Sequence, residues 1–218
     1  MDWGPLLLTF KLALITTCIL LVIGLPLAHW LAYSKIRFKF IVKTLVTMPL
    51  VLPPSVLGFY LLILFNPEGW LGKWIDYLLG IQLIFSFEGI ILGSVIFSLP
   101  FMVNTVQSGF ENIPISLIES AYTLGKSSKE IFFAVLLPNM RPAIFAAVIM
   151  SFAHTIGEFG VVLMIGGNIP NETRVASLAI YTEVEALNYH TANFYALILL
   201  IVSFSTLLVM NLFNKNLE

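Results

Sequence analysis

Residues 111–141 read ENIPISLIESAYTLGKSSKEIFFAVLLPNMR, a mostly polar stretch set between long apolar ones. Pro114 suits the first turn of a helix, where its missing N–H leaves no bond unmade. Leu117, Ile118, Ala121 and Tyr122 recur at helical spacing and form one apolar face. Gly125 follows as a C-terminal stop. Ser127 and Glu130, three residues apart, read as a capping box that opens a second helix. Pro138 and Pro142 are expected to end that helix. The stretch therefore reads as helix, glycine turn, helix. Its first helix carries Glu111 and Glu119, and no basic residue precedes Lys126. Helices that lie on lipid are usually rich in Lys and Arg, so the predicted contact of this loop is a protein.

The flanks set its context. Charge-free runs cover residues 12–34, 44–67, 89–110 and 186–214, and residues 142–171 with Glu158 as the one exception. A helix of about 20 apolar residues crosses the roughly 30 Å of hydrocarbon and satisfies its own backbone there. Strand-type alternation is absent, against a β-barrel. The expected fold is all-α and integral to the membrane, one transmembrane domain over residues 1–218. About five transmembrane helices are expected near residues 8–34, 43–65, 88–109, 142–166 and 192–213. The first run lacks a basic start and exceeds a usual signal-peptide core, so it reads as a retained span. Composition agrees: 59% of the 218 residues are hydrophobic and 11% charged, against about 25% charged in soluble domains. An ordinary soluble enzyme and a disordered chain are both excluded.

Other classes fall away on charge and motif. A net charge of −1 gives no basic field for nucleic acid. Cys18 is alone, and His29, His154 and His190 are scattered, so no metal site is expected. No phosphate-binding loop of the P-loop type occurs, so neither an ATP site nor a cofactor is expected on this chain. Eight of the eleven basic residues (Lys35, Arg37, Lys39, Lys43, Lys126, Lys129, Arg141 and Lys215) fall on alternate connections. By the positive-inside rule these connections are cytoplasmic, which puts the N-terminus outside and the C-terminus in the cytoplasm. Trp3, Trp70, Trp74 and Tyr77 then fall near the outer interface.

Glu119-Ser120-Ala121-Tyr122-Thr123-Leu124-Gly125, nine residues, then Val135-Leu136-Leu137-Pro138 resembles the EAA loop of ABC importer permeases. Ser120 and Val135 are mild departures from that pattern. The resemblance implies a multi-pass cell-membrane protein that forms a homodimer around the translocation pathway. It also implies that the loop docks on a pair of cytoplasmic ABC ATPase subunits. Glu119, Ala121, Gly125, Leu137 and Pro138 are the coupling residues it points to. In addition, Met48–Gly58, Glu158-Phe159-Gly160, Asn168–Arg174 and Ala179–Thr182 resemble the molybdate permeases, and less closely the sulfate permeases. That likeness runs over residues 5–213. It implies import of molybdate, or tungstate, delivered by an extracytoplasmic molybdate-binding protein, with another oxyanion such as sulfate as the alternative.

Several residues are candidates for the pathway or its gate. Pro49, Pro53 and Pro54 break a helix at membrane depth, which fits either a pathway or hinge or a fixed packing kink. Glu158 is the only charge in the core of a span, Lys11 lying near a span end, and so is a functional candidate. His154 lies four residues before it, and Ser151 and Thr155 extend the polar stripe. A carboxylate facing the pore would repel a dianion, so Glu158 is expected to pair with His154 or backbone as a structural or gating element. Arg174 is expected either to attract the anion or to bridge to Glu172 or Glu183. The rival reading is a secondary transporter with His154 and Glu158 as a proton relay, but no inverted repeat is visible. No paired catalytic groups occur, so an enzyme is not expected.

Overall fold

The computed structural model describes residues 2–215; the side chains of Trp70, Leu79, Asn214 and Lys215 and residues 216–218 lie outside that description. The described chain is helical. Three helices are long and apolar enough to cross a membrane: α1 (Gly4–Tyr33), α5 (Phe87–Glu111) and α12 (Tyr189–Lys215). Two bent pairs raise the number to as many as five. They are Lys39–Leu50 with Pro54–Leu64, bent by 113°, and Ser128–Asn139 with Arg141–Ile156, bent by 68°.

The first bend follows from its prolines. α2 (Lys39–Thr47) runs into a 3₁₀ turn at Met48–Leu50, and α3 (Pro54–Leu64) starts afresh with Pro53 as its N-cap. Pro49, Pro53 and Pro54 each lack the N–H that a continuous helix needs. The second expected span, near residues 43–65, is thus two helices meeting at a sharp angle.

The stretch expected as a span over 142–166 is also interrupted. α9 (Arg141–Ile156) ends at Gly157, and α10 (Gly160–Gly166) begins only after Phe159. Two shorter helices, α4 (Trp70–Leu79) and α11 (Ala176–Glu185), lie in connections where none was expected. α4 buries Leu71 and Ile75 against the core formed by α3 and α10 and stops at Gly80, whose φ is +63°.

α1, α5 and α9 pack on one another as the central bundle, while α3 packs on α10 and α11 on α12. α5 is the most enclosed of the three long helices, and α12 the most exposed. Thr9 Oγ1 of α1 accepts from the Ala176 N–H at 2.8 Å, and Tyr195 donates to the Asp2 carbonyl at 2.7 Å, tying α1 to α11 and α12.

Candidate functional site

The loop comprises α6 (Ile115–Thr123), α7 (Ser128–Ile131), a π-helical stretch Phe132–Leu136 and α8 (Leu137–Asn139). Pro114 is the N-cap of α6. The helix closes with Lys126 N–H on the Ala121 carbonyl at 3.1 Å and Gly125 N–H on the Tyr122 carbonyl at 2.9 Å. That pairing requires a left-handed residue, and Gly125 supplies it at φ +78°. The capping box is present: Ser127 Oγ accepts from the Glu130 N–H at 3.3 Å, and Glu130 Oε2 accepts from the Ser127 N–H at 2.8 Å. The second helix stops at Asn139, between Pro138 and Pro142, and the chain turns by 68° into α9. The π-stretch widens the turn ahead of Pro138 and absorbs it, a known route around a missing N–H. Pro142 instead sits in the first turn of α9.

Glu130 is held well below the usual carboxylate range, at about 2, chiefly by the Ser127 backbone N–H, then by the Ser127 hydroxyl and Lys126 at 3.2 Å. A lowered carboxylate stabilises the fold above its ordinary value of 4.5 and loses that contribution as pH falls towards 2. Amide protection factors in α7, corrected for the intrinsic exchange rate, are therefore expected to fall over that acid window. Ser127→Ala should give about fivefold faster exchange at neutral pH and a flattened acid step; an unchanged profile would contradict the capping role.

The two faces of α6 differ. Ile118 and Ala121, with Ile131 and Leu136 from the following segment, join the same core as Leu31 of α1 and Phe110 of α5. Leu117 and Tyr122, expected on that face, are exposed, as are Ile115 at 70% and Leu124 at 80%. Glu119 is exposed beside them; of the remaining loop positions, Leu137 is half-buried and Pro138 exposed.

Where α9 breaks from α10, a cavity of about 690 Å³ opens. Its lining brings together Pro54 and Ser55 of α3, Phe97 of α5, His154 of α9, and Gly157 to Gly160 of the break. Among the described residues, no Lys or Arg lines it. Of the residues expected there, Pro54, His154 and Glu158 border the cavity. Pro49 is buried in the 3₁₀ turn, and Pro53 caps α3. Ser151 and Thr155 are fully buried in the bundle. Thr155 Oγ1 contacts Ser98 Oγ of α5 at 3.1 Å and donates to the Ser151 carbonyl at 2.9 Å.

His154 and Glu158 do not pair. The spacing argument assumed a continuous helix, but α9 ends at Ile156, so Glu158 lies beyond the turn that would bring it beneath His154. His154 Nδ1 instead meets Ser98 Oγ at 2.9 Å, and its ring packs on Phe101 and Phe97 at 4.1 and 4.8 Å. Glu158 is 3% exposed, and neither carboxylate oxygen has a hydrogen-bond partner; the buried Ser94 hydroxyl has none either. The Glu158 carbonyl accepts from Ser177 Oγ of α11 at 2.6 Å. Ser94 and Ser98 went unread, although their four-residue spacing in an apolar run placed them on one face. Arg174 finds neither expected acid; its Nε donates to Asn168 Oδ1 at 3.1 Å. Lys11 lies 4.5 Å from the centre of the Phe87 ring.

A family model described as binding-protein-dependent transport system inner membrane component matches residues 21–218. The chain is 45% identical over 206 residues to the molybdenum transport system permease protein ModB of Azotobacter vinelandii, covering 94% of this chain and 91% of that protein. It is 32% identical to the ModB of Escherichia coli (strain K12), over 84% of this chain and 80% of that one. A probable sulfate transport system permease protein, cysT of Chlorella vulgaris, is 33% identical over 95% and 77%. Among solved structures, the inward-facing MetNI methionine ABC transporter superposes with a TM-score of 0.76 at 18% identity, over 98% of this chain and 94% of that one. At that identity the likeness speaks for the fold.

Proposed function

The chain belongs to the family of binding-protein-dependent transport system inner membrane components, and from that premise we propose that it imports molybdate as a homodimer driven through α6. As a member it is a non-catalytic, multi-pass inner-membrane permease of an ABC importer, which works with an ATPase and a binding protein. The finer assignments are our reading. Residues 111–141 form the coupling loop on the cytoplasmic side, the N-terminus faces outward, and two ATPase subunits dock on two copies of this chain.

One observation carries the coupling assignment. α6 buries Ala121 and Ile118 in the bundle core while it offers Ile115, Leu124, Tyr122 and Glu119 outward. A helix anchored on one face and apolar on the other can pass a partner's displacement into the bundle it is packed in. ATP-driven closure of the ATPase pair would thus bias a two-state transmembrane element.

The 45% likeness to a molybdenum permease over nearly the whole chain supports molybdate as the cargo. No cation lines the cavity among the described residues and Glu158 borders it, so this chain offers no strong anion site there. Strong selection then rests with the binding protein. The sulfate-permease likeness makes sulfate the second reading. Uptake into vesicles with molybdate, tungstate and sulfate in competition separates the two, and preferential block by sulfate would overturn molybdate.

Glu158 is assigned a gating or structural role and not a ligand role. Glu158→Gln is expected to assemble normally, because the amide is nearly isosteric and no hydrogen bond to the carboxyl is lost. Transport should fall about tenfold or more if the carboxyl takes part in a gate. A gain in anion affinity would instead put Glu158 in the pathway and overturn the assignment.

A further inference from the structure

His29 is absorbed by none of the roles above, yet three elements meet on its ring. Tyr33 of α1, Phe110 of α5 and Phe132 of the π-stretch lie at centroid distances of 5.1, 5.2 and 5.1 Å. The Phe110 and Phe132 contacts are edge-on, at 76° and 89°. Tyr33 also donates to the Phe110 carbonyl at 3.0 Å. Phe110 is fully buried. The His29 ring of α1 thus touches both α5 and the loop, and Phe110, 6.4 Å from Phe132, completes the cluster.

Both helices weaken a short way above this contact. α1 carries Pro26 and α5 carries Pro100 in their interiors. Each proline leaves the carbonyl four residues earlier without its helical bond, at Val22 and Ile96. The helices run parallel, with Gly24 against Met102 and Tyr33 against Phe110, so the two breaks fall about one helical turn (roughly 6 Å) apart along the bundle. A β-carbon on Gly24 would lie 2.6 Å from Met102 Cγ, so the helix backbones approach closely at this level. Beyond it, the ends of α1 and α5 share one apolar core with Ala121, Ile131 and Leu136 of the loop.

We propose that His29 is the positioning residue that locks the loop to the ends of α1 and α5, so that the three move as one block below the breaks at Pro26 and Pro100. This rests on the coupling reading of α6 and adds the joint through which the motion enters the bundle. A push on α6 reaches Phe132 through Ile131, and Phe132 bears on His29 and Phe110 together. Without the ring, the loop would slide while the helices stay.

The test uses the chain assembled with its ATPase and binding protein in vesicles, with ATP hydrolysis and molybdate uptake read together. His29→Ala should keep ATPase binding and hydrolysis while uptake per ATP falls about tenfold; His29→Phe, which restores a ring, should stay within about twofold of the parent. A second variant guards against misfolding. In a Cys18→Ser background, His29→Cys with Phe132→Cys should be uncoupled when reduced and recover uptake per ATP when the two thiols are joined by a short cross-linker. The proposal is overturned if His29→Ala keeps its uptake per ATP, if it loses ATPase binding outright, or if cross-linking restores nothing. If the parent chain itself shows no ATP-dependent uptake, the coupling reading fails first, and the two failures are told apart.

Discussion

Replacing Gly160 with leucine is expected to abolish transport and to lower the melting temperature of the assembled chain by about 4–10 °C. A β-carbon on Gly160 would lie 2.8 Å from Pro54 Cβ, 3.2 Å from the Ser55 nitrogen and 3.3 Å from the Pro54 carbonyl carbon. Two of those atoms are backbone at the start of α3, which the prolines hold stiff. The neighbour therefore cannot yield as a flexible side chain would. A β-carbon on Gly58 of α3 would meet the reciprocal obstacle, 2.8 Å from Met164 Cβ and 3.1 Å from Val161 Cα. Prying α3 from α10 would disturb the cavity wall that Pro54, Ser55 and Gly160 share. It would also open the core of Leu57, Leu61, Val161 and Ile165. Gly160→Ala should show the same direction at smaller size. Unchanged melting and transport in Gly160→Leu would mean that the α3–α10 contact does not exist in the working assembly.

Leu124→Asp is expected to weaken retention of the ATPase by about 30-fold or more, because central apolar anchors of an interface cost about 2 kcal/mol or more when lost. Leu124 is 80% exposed and adjoins the Gly125 turn. It makes no contribution to the internal core, so the chain should fold as before. Ile115→Asp, at the other end of α6, should act in the same direction. Tyr77 of α4 is 88% exposed at a site remote in sequence from the loop, and Tyr77→Asp is the control that should leave retention intact. Co-purification of the ATPase with each variant, scored against the parent, measures the effect. Equal retention by Leu124→Asp and the parent would remove α6 from the docking surface.

Much of this was readable from residues alone, for physical reasons that differ by element. α1, α5 and α12 coincide with charge-free runs, since a long lipid-spanning helix must be apolar throughout. The glycine turn and capping box of the loop were readable because backbone chemistry allows few residues at those positions. The break after Ile156 was not, because glycines such as Gly157 and Gly160 also occur inside unbroken membrane helices, where they permit close helix contact. That error carried over to His154 and Glu158, whose pairing depended on an unbroken turn. α4 and α11 escaped notice because ten-residue helices bearing charges do not register as spans. The cavity could not be read at all. Its walls come from α3, α5 and the α9–α10 break, which only tertiary packing brings together. The substrate came from resemblance, and no residue pattern in the cavity identifies it.

The central claim is that this chain moves molybdate only when an ATPase acts through residues 111–141. Vesicles holding the chain, its ATPase and the binding protein should accumulate molybdate on addition of ATP, and a protonophore should leave that uptake intact. Uptake should vanish when the ATPase is left out. Accumulation by the chain alone, driven by a proton gradient and independent of ATP, would contradict the account.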